Sequence, residues 1–119
     1  MYKPDKNVFK GNIYVIINSH IASAGATFVA VLQDRTKAII VGEETGGSKN
    51  EHNAGLLRFE LPTSKIKIDV PLRRYYQPIM KKNDGRGVIP NKTFIYTQRD
   101  LIDGADKPLS YILDSLIKN

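Results

Sequence analysis

The sequence predicts one α/β domain built on a βαβ unit, and three consecutive segments carry this prediction. Residues 12–18 read as a continuous apolar strand, the pattern of a strand covered on both faces. Residues 23–33 are small and apolar on all sides, as in a buried helix. Residues 38–42 form a second apolar strand. Because short connections join these segments, we expect the strands to be parallel, with a right-handed crossover.

A β-hairpin is predicted after the polar loop 42–53, which is too long for a simple turn and therefore favours a functional role. Residues 56–61 form a strand with partial alternation, and residues 62–64 form the turn. Residues 66–70 alternate cleanly, with apolar side chains in and charged side chains out, as in a half-exposed antiparallel strand. Residues 71–76 continue in extended form.

A helix is predicted at the C-terminal end, after a polar loop at 81–87 and a short extended piece at 88–91. Asp106 is its expected N-cap, and Pro108 falls in its first turn. Five apolar residues at helical spacing predict a face that covers the core: Leu109, Ile112, Leu113, Leu116 and Ile117.

Composition limits the function classes. The 119 residues suffice for one domain, and 41% hydrophobic residues suffice for a core. The absence of Cys excludes disulfides and thiol chemistry. No stretch approaches the roughly 18 apolar residues of a membrane span, and histidines and acids lack metal-site spacing. The net charge of +6 is spread along the chain without a nucleic-acid-binding motif. We therefore expect no cofactor, metal, membrane span or nucleic-acid partner.

Ser23 is the most informative candidate for chemistry, because it lies between a predicted strand and a predicted helix. A helix N-terminus offers free N–H groups and partial positive charge. That position suits a nucleophile whose attack creates an oxyanion. It suits an ordinary helix cap equally well, so the local sequence leaves both interpretations open.

Several segments, taken in order, carry a family resemblance: 11–18, 22–25 and 41–47, with weaker matches at 61–64 and at 87–91 before 103–106. They resemble the tail-specific, or C-terminal processing, serine peptidases, which have a Clp-protease/crotonase-like fold. The resemblance implies that Ser23 is the nucleophile and that the Ala24 N–H contributes to the oxyanion hole. Gly46 and Gly47 permit close backbone approach, and we expect them to bind substrate.

The resemblance does not identify the general base. In the processing branch it is a lysine, but matching the loop puts Ser48 at that position and Lys49 one residue later. The predicted base is therefore Lys49 or a group outside this chain, since a tricorn-like branch takes a histidine from upstream. His20 and His52 are expected to be turn or surface residues, with His52 a further alternative. Asp34 lies at the far end of the helix, so we expect a structural hydrogen bond or salt bridge from it.

The predicted protein is a serine-type endopeptidase. The resemblance implies that residues 1–119 are the C-terminal part of its catalytic domain, an incomplete domain that is inactive alone. An uncovered sheet face or edge then predicts self-association, or association with the missing N-terminal part. The expected substrate is polypeptide, and the expected location is the periplasm, the cell envelope or outside the cell. A non-catalytic binding or scaffolding member is one alternative, and a crotonase-like acyl-thioester enzyme is another, although no coenzyme-A-binding region is found.

Overall fold

A computed structural model describes residues 6–77 and 84–117. The mixed α/β class is confirmed. The predicted βαβ unit consists of strand β1 (Tyr14–Ile17), helix α1 (Ser23–Arg35) and strand β2 (Ile39–Gly42). Strands β1 and β2 pair in parallel, with Tyr14 opposite Ile39. The helix begins where the sequence predicts and runs two residues further, to Arg35.

A third parallel strand completes this sheet in the order β1-β2-β5, where β5 is Lys92–Thr93. The sequence analysis missed it, because two exposed polar residues give no apolar pattern. Asn91 anchors the strand at its start: its N–H donates to Ile40 O (2.7 Å), and its Oδ1 accepts from the Ile40 N–H (2.8 Å). The buried core lies between α1 and the sheet and consists of Ile17, Val29, Ala30, Ala38, Ile40 and Val88.

The predicted hairpin is present, but it is longer and more exposed than expected. Strand β3 is Glu51–Glu60 and strand β4 is Lys67–Tyr76. The predicted first strand, 56–61, began five residues too late, because the polar start of β3 is held by backbone pairing and not by an apolar pattern. All of β4 is exposed, so the apolar side of the predicted half-exposed strand is not buried. The radius of gyration is 18.4 Å, against about 14 Å for a compact domain of this length.

The C-terminal region begins with a short helix that the sequence analysis also missed, α2 (Gln98–Ile102). It is closed by a capping box, in which the Thr97 hydroxyl accepts from the Asp100 N–H and the Asp100 carboxylate accepts from the Thr97 N–H. Helix α3 (Lys107–Tyr111) follows, and the predicted N-cap is confirmed, since Asp106 Oδ1 accepts from the Leu109 N–H at 2.9 Å.

The predicted core-facing stripe of the last helix is wrong in part. After α3 the chain continues as a π-helical segment, Ile112–Ile117. Ile112 is buried, whereas Leu109, Leu113 and Ile117 are 42%, 48% and 56% exposed. A π-helix bonds each residue to the fifth one along, so a stripe spaced for an α-helix no longer falls on one face. No helix within the described ranges is long and apolar enough to cross a membrane.

The predicted loops also differ from the structure in their limits. The loop after β2 ends at residue 50, because β3 begins at Glu51. Within the predicted loop 81–87, residues 81–83 lie outside the described residues, and residues 84–87 are irregular. Residues 88–91 are irregular too, although Val88 is part of the buried core.

Candidate active site

The turn that follows β1 places Ser23 at the start of α1. The Ile21 N–H donates to Asn18 O at 3.1 Å, which closes a tight turn. Asn18 Oδ1 accepts from the His20 N–H at 3.0 Å, and His20 is exposed. His20 is therefore a turn residue in this structure, as the sequence predicts.

Ser23 has an unusual backbone conformation, with φ at 51°. This left-handed region is strained for a residue with a Cβ, at a cost of roughly 1–2 kcal/mol. The helix N-cap is Ala22, in extended conformation. The Ser23 side chain is exposed, and its hydroxyl makes no hydrogen bond to any residue that the structure describes. The hydroxyl thus does not cap the helix, which was the alternative interpretation.

The N–H of Ala24 lies in the first turn of α1 and has no hydrogen-bond partner among residues 6–77 and 84–117. Gly25 and Ala26, the next two residues, both donate to Ala22 O. The unpaired N–H groups of a helix N-terminus attract negative charge. An exposed hydroxyl and a free N–H therefore lie on adjacent residues, as an acyl-transfer site requires.

The two glycines of the loop after β2 lie directly against the Ser23 turn. A Cβ on Gly47 would be 2.6 Å from Ala22 Cα and 2.8 Å from Ser23 N. A Cβ on Gly46 would be 2.2 Å from Ser19 O. The Gly47 N–H also donates to Ile21 O at 3.0 Å. Only glycine fits these positions, because the neighbouring atoms are backbone.

Residues 84–88 support this loop from the other side. The Thr45 hydroxyl accepts from the Val88 N–H at 2.8 Å and donates to Gly47 O at 2.9 Å. Glu44 binds the Arg86 guanidinium through both carboxylate oxygens and accepts from the Gly87 N–H at 2.9 Å. The hydrogen bond from Arg86 is the main cause that lowers the pKa of Glu44.

Lys49 is buried in this loop, with 9% of its side chain exposed, and its Nζ lies 2.6 Å from Asp84 Oδ1. The hydrogen bond from Lys49 holds the pKa of the Asp84 carboxyl below its ordinary value. This contact holds the Lys49 amine on Asp84. No hydrogen bond joins Lys49 to the Ser23 hydroxyl in the described part of the chain.

His52 approaches α1 from the start of β3. Its Nδ1 lies 3.2 Å from Thr27 Oγ1, and the Thr27 hydroxyl donates to Ser23 O at 3.2 Å. Which of these two groups donates to the other depends on the tautomer of the ring. The ring stacks on Tyr75, with centroids 5.2 Å apart. His52 thus lies one helical turn from Ser23.

Two further predicted residues have structural roles. The Asp34 carboxylate pairs with Arg35 Nε at 2.8 Å, which confirms the predicted salt bridge at the far end of α1. The Ser48 hydroxyl, at the position where the resemblance places a lysine, accepts from the Asn50 N–H at 3.3 Å. Within the described ranges, no group of three or more His, Asp or Glu side chains could hold a metal ion.

A cavity of about 560 Å³ opens at the carboxyl end of the parallel strands. Its walls include residues that follow β1, β2 and β5, namely His20, Glu43 and Tyr96, together with the apolar Ile16 and Ile95. Ligands bind preferentially at this edge of a parallel sheet, and the volume is within the range of ligand sites. His20 joins the cavity to the turn that carries Ser23.

Several supporting residues of the site were not foreseen. Thr27 and Asp84 contact candidate residues, yet each is separated from its partner by 25 or 35 positions in sequence. No local pattern predicts such pairs. Arg86 stands between two glycines, which is a pattern that the sequence alone shows. In the structure, a Cβ on Gly87 would be 2.0 Å from Thr45 O.

The sequence model of peptidase family S41 matches residues 1–94, which include Ser23, Lys49 and His52. The cavity residues from Ile95 onward lie outside the matched range. A search of curated proteins found no match to the chain.

Proposed function

Because this chain belongs to peptidase family S41, we propose that Ser23 is the nucleophile of a serine endopeptidase acting on extended polypeptide. The observation that carries the proposal is the conformation of Ser23, an exposed residue with φ at 51° at the start of α1. Strained residues of this kind cluster at functional sites. The free Ala24 N–H beside it supports the same role.

In the proposed reaction, Ser23 Oγ attacks the carbonyl carbon of the scissile bond while a general base accepts the hydroxyl proton. The carbonyl oxygen becomes an oxyanion and receives a hydrogen bond from the Ala24 N–H. Collapse of the tetrahedral intermediate breaks the C–N bond. The amine leaves with the proton from the base, and an ester remains on Ser23. Water then hydrolyses this ester by the same sequence of steps.

The base is proposed to be Lys49 or a group outside this chain. Lys49 would have to leave Asp84 before it could serve Ser23. His52 is the further alternative, and it would have to reach the hydroxyl from its present position on Thr27. These two contacts support a group outside this chain as the base, in preference to Lys49 and His52. Gly46 and Gly47 border the site, and we propose that their backbone lines the substrate path.

The setting of the site is part of the proposal. The β1–α1–β2 unit, the hairpin and the C-terminal helix support a Clp-protease/crotonase-like fold. Residues 22–25 are exposed, and Phe28 is 63% exposed. We propose that an N-terminal part of the same catalytic domain covers this surface, and that the chain alone is inactive. By family resemblance, the site of action is the periplasm, the cell envelope or the extracellular space.

A second candidate function is polypeptide binding without catalysis. Ser48 stands where the resemblance expects the catalytic lysine, and the neighbouring Lys49 is engaged by Asp84. A protein of this kind would keep the fold and the substrate path without a base.

Labelling of the full-length protein with a fluorophosphonate probe tests the proposal. We expect covalent labelling that is lost in Ser23→Ala and retained in the matched control Ser19→Ala, an exposed serine of the same turn. Labelling at another residue would contradict the nucleophile assignment. No labelling of the folded protein would overturn the peptidase proposal in favour of binding.

The same labelling assay identifies which group acts as the general base. Loss of labelling in Lys49→Met with retention in His52→Gln identifies Lys49, and the reverse identifies His52. If both variants retain labelling, the base is outside this chain.

A further inference from the structure

The β3–β4 hairpin has one face without charged residues toward its tip. All pairs of the two strands follow a single register, in which Leu57 lies opposite Val70 and Phe59 opposite Ile68. Because directly opposed residues of an antiparallel pair share a face, the side chains of one face can be read from this register. We call the following set the apolar face: Leu57, Phe59, Leu61, Ile66, Ile68, Val70 and Leu72.

The apolar face is exposed along its whole length. Its residues range from 40% exposed at Val70 to 62% exposed at Leu72. Together they present roughly 600 Å² of apolar surface, the upper end of what an ordinary monomer leaves uncovered. A face of this size marks an interaction surface.

The opposite face of the same hairpin is suited to water. Arg58 binds Asp69 through two hydrogen bonds of 2.6 and 2.8 Å. Glu60 pairs with Lys65 at 3.4 Å. The hairpin is therefore amphipathic, with the pattern of a strand pair that packs on one side only.

The hairpin contacts the rest of the structure near its base, where His52 meets Thr27. A two-stranded hairpin is marginally stable in water unless a hydrophobic face is packed. The tip therefore needs a covering surface to remain ordered.

We propose that the apolar face packs against the same face of a second copy of this chain. Two such faces would bury about 1,200 Å², the lower limit of a standard specific interface, with the sheets about 10 Å apart. A two-fold axis makes one apolar face complementary to itself. The face carries no Lys or Arg, so the chain's net charge of +6 does not direct an anionic partner to it. The proposal does not depend on peptidase activity.

Sedimentation velocity of the 119-residue chain from 1 to 200 µM tests this interface. Leu56 and Leu57 are adjacent, are both exposed and lie on opposite faces of the hairpin, which makes them a matched pair. We expect a monomer–dimer equilibrium in the unaltered chain. Leu57→Lys should raise the dimer dissociation constant at least tenfold, whereas Leu56→Lys should change it less than twofold.

Crosslinking gives a second readout that does not require a charged variant to fold. The chain has no Cys, so a single Cys can be placed at Val70 on the apolar face or at Asp69 on the opposite face. A flexible bis-maleimide should yield covalent dimer from Val70→Cys and little from Asp69→Cys. A monomer at every concentration, equal effects of the paired variants, or species larger than a dimer would overturn the proposal.

Discussion

Replacement of Ser23 by Gly should make the protein more stable than replacement by Ala, although both remove the proposed nucleophile. The reason is the φ of 51° at this position. Ala keeps the Cβ, and with it the steric conflict of the left-handed conformation, whereas Gly adopts this region freely. The comparison therefore isolates backbone strain from the loss of the hydroxyl.

The size of the difference follows from two opposing effects. Relief of the left-handed conformation returns roughly 1–2 kcal/mol, and the extra freedom of Gly in the unfolded chain removes about 0.4–1 kcal/mol. Ser23→Gly should thus exceed Ser23→Ala by about 1 kcal/mol in the free energy of unfolding. For a chain of this length, that corresponds to a Tm difference of about 4 °C.

Urea unfolding followed by circular dichroism measures this difference. Two other positions serve as controls, one without and one with a positive φ. Ala24→Gly, in the first turn of α1 at a position without a positive φ, should destabilise by at most about 1 kcal/mol. Lys65→Gly, at the other described non-glycine residue with positive φ, 58°, should also stabilise. If Ser23→Gly is no more stable than Ser23→Ala while Lys65→Gly gains stability, the argument that Ser23 is strained is refuted.

Two further predictions concern the loop beside Ser23. Gly47→Ala places a Cβ 2.6 Å from Ala22 Cα, so it should destabilise by about 1–3 kcal/mol in urea unfolding; a loss below 0.5 kcal/mol would contradict the close packing. The pKa of Glu44 is lowered from 4.5 by Arg86, so this ion pair contributes stability above pH 4.5 that is lost as the pH falls through the lowered pKa. Unfolding between pH 6 and pH 3 should therefore show a smaller acid loss in Arg86→Met than in the unaltered chain, and equal losses would show that the pair contributes nothing.

The parts of the fold that were predicted from sequence are those with a local pattern. The β1–α1–β2 unit and the hairpin have apolar runs or alternation, and the last helix has the Asp106 cap. Strand β5 was missed because its pairing with β2 depends on backbone contacts between distant residues. The stripe after Asp106 was misjudged because the change to a π-helix at Ile112 has no periodic signal.

The candidate site divides in the same way. The position of Ser23 before an apolar helix could be found from sequence, and Gly46 and Gly47 stood out by type. The ion pair of Lys49 with Asp84 could not be found from sequence, because it joins residues on either side of a hairpin. The conformation of Ser23 could not be predicted either, since a left-handed serine is imposed by the surrounding packing and not by its own preference.

The support of the Ser23 loop by residues 84–88 has a consequence for the order in which the site is built. Thr45 and Lys49 are buried, and their side chains take partners from residues that leave the ribosome some forty positions later. Until then the Thr45 hydroxyl lacks the Val88 N–H and the Lys49 amine lacks the Asp84 carboxylate, so we expect burial of this loop to be unfavourable. The hairpin shortens the loop that must close between residues 45–49 and 84–88, because it brings Gln77 back to Asn50. The Asn50 carbonyl accepts from the Gln77 N–H at 2.6 Å. We therefore expect the nascent chain to complete its site only after the hairpin has formed.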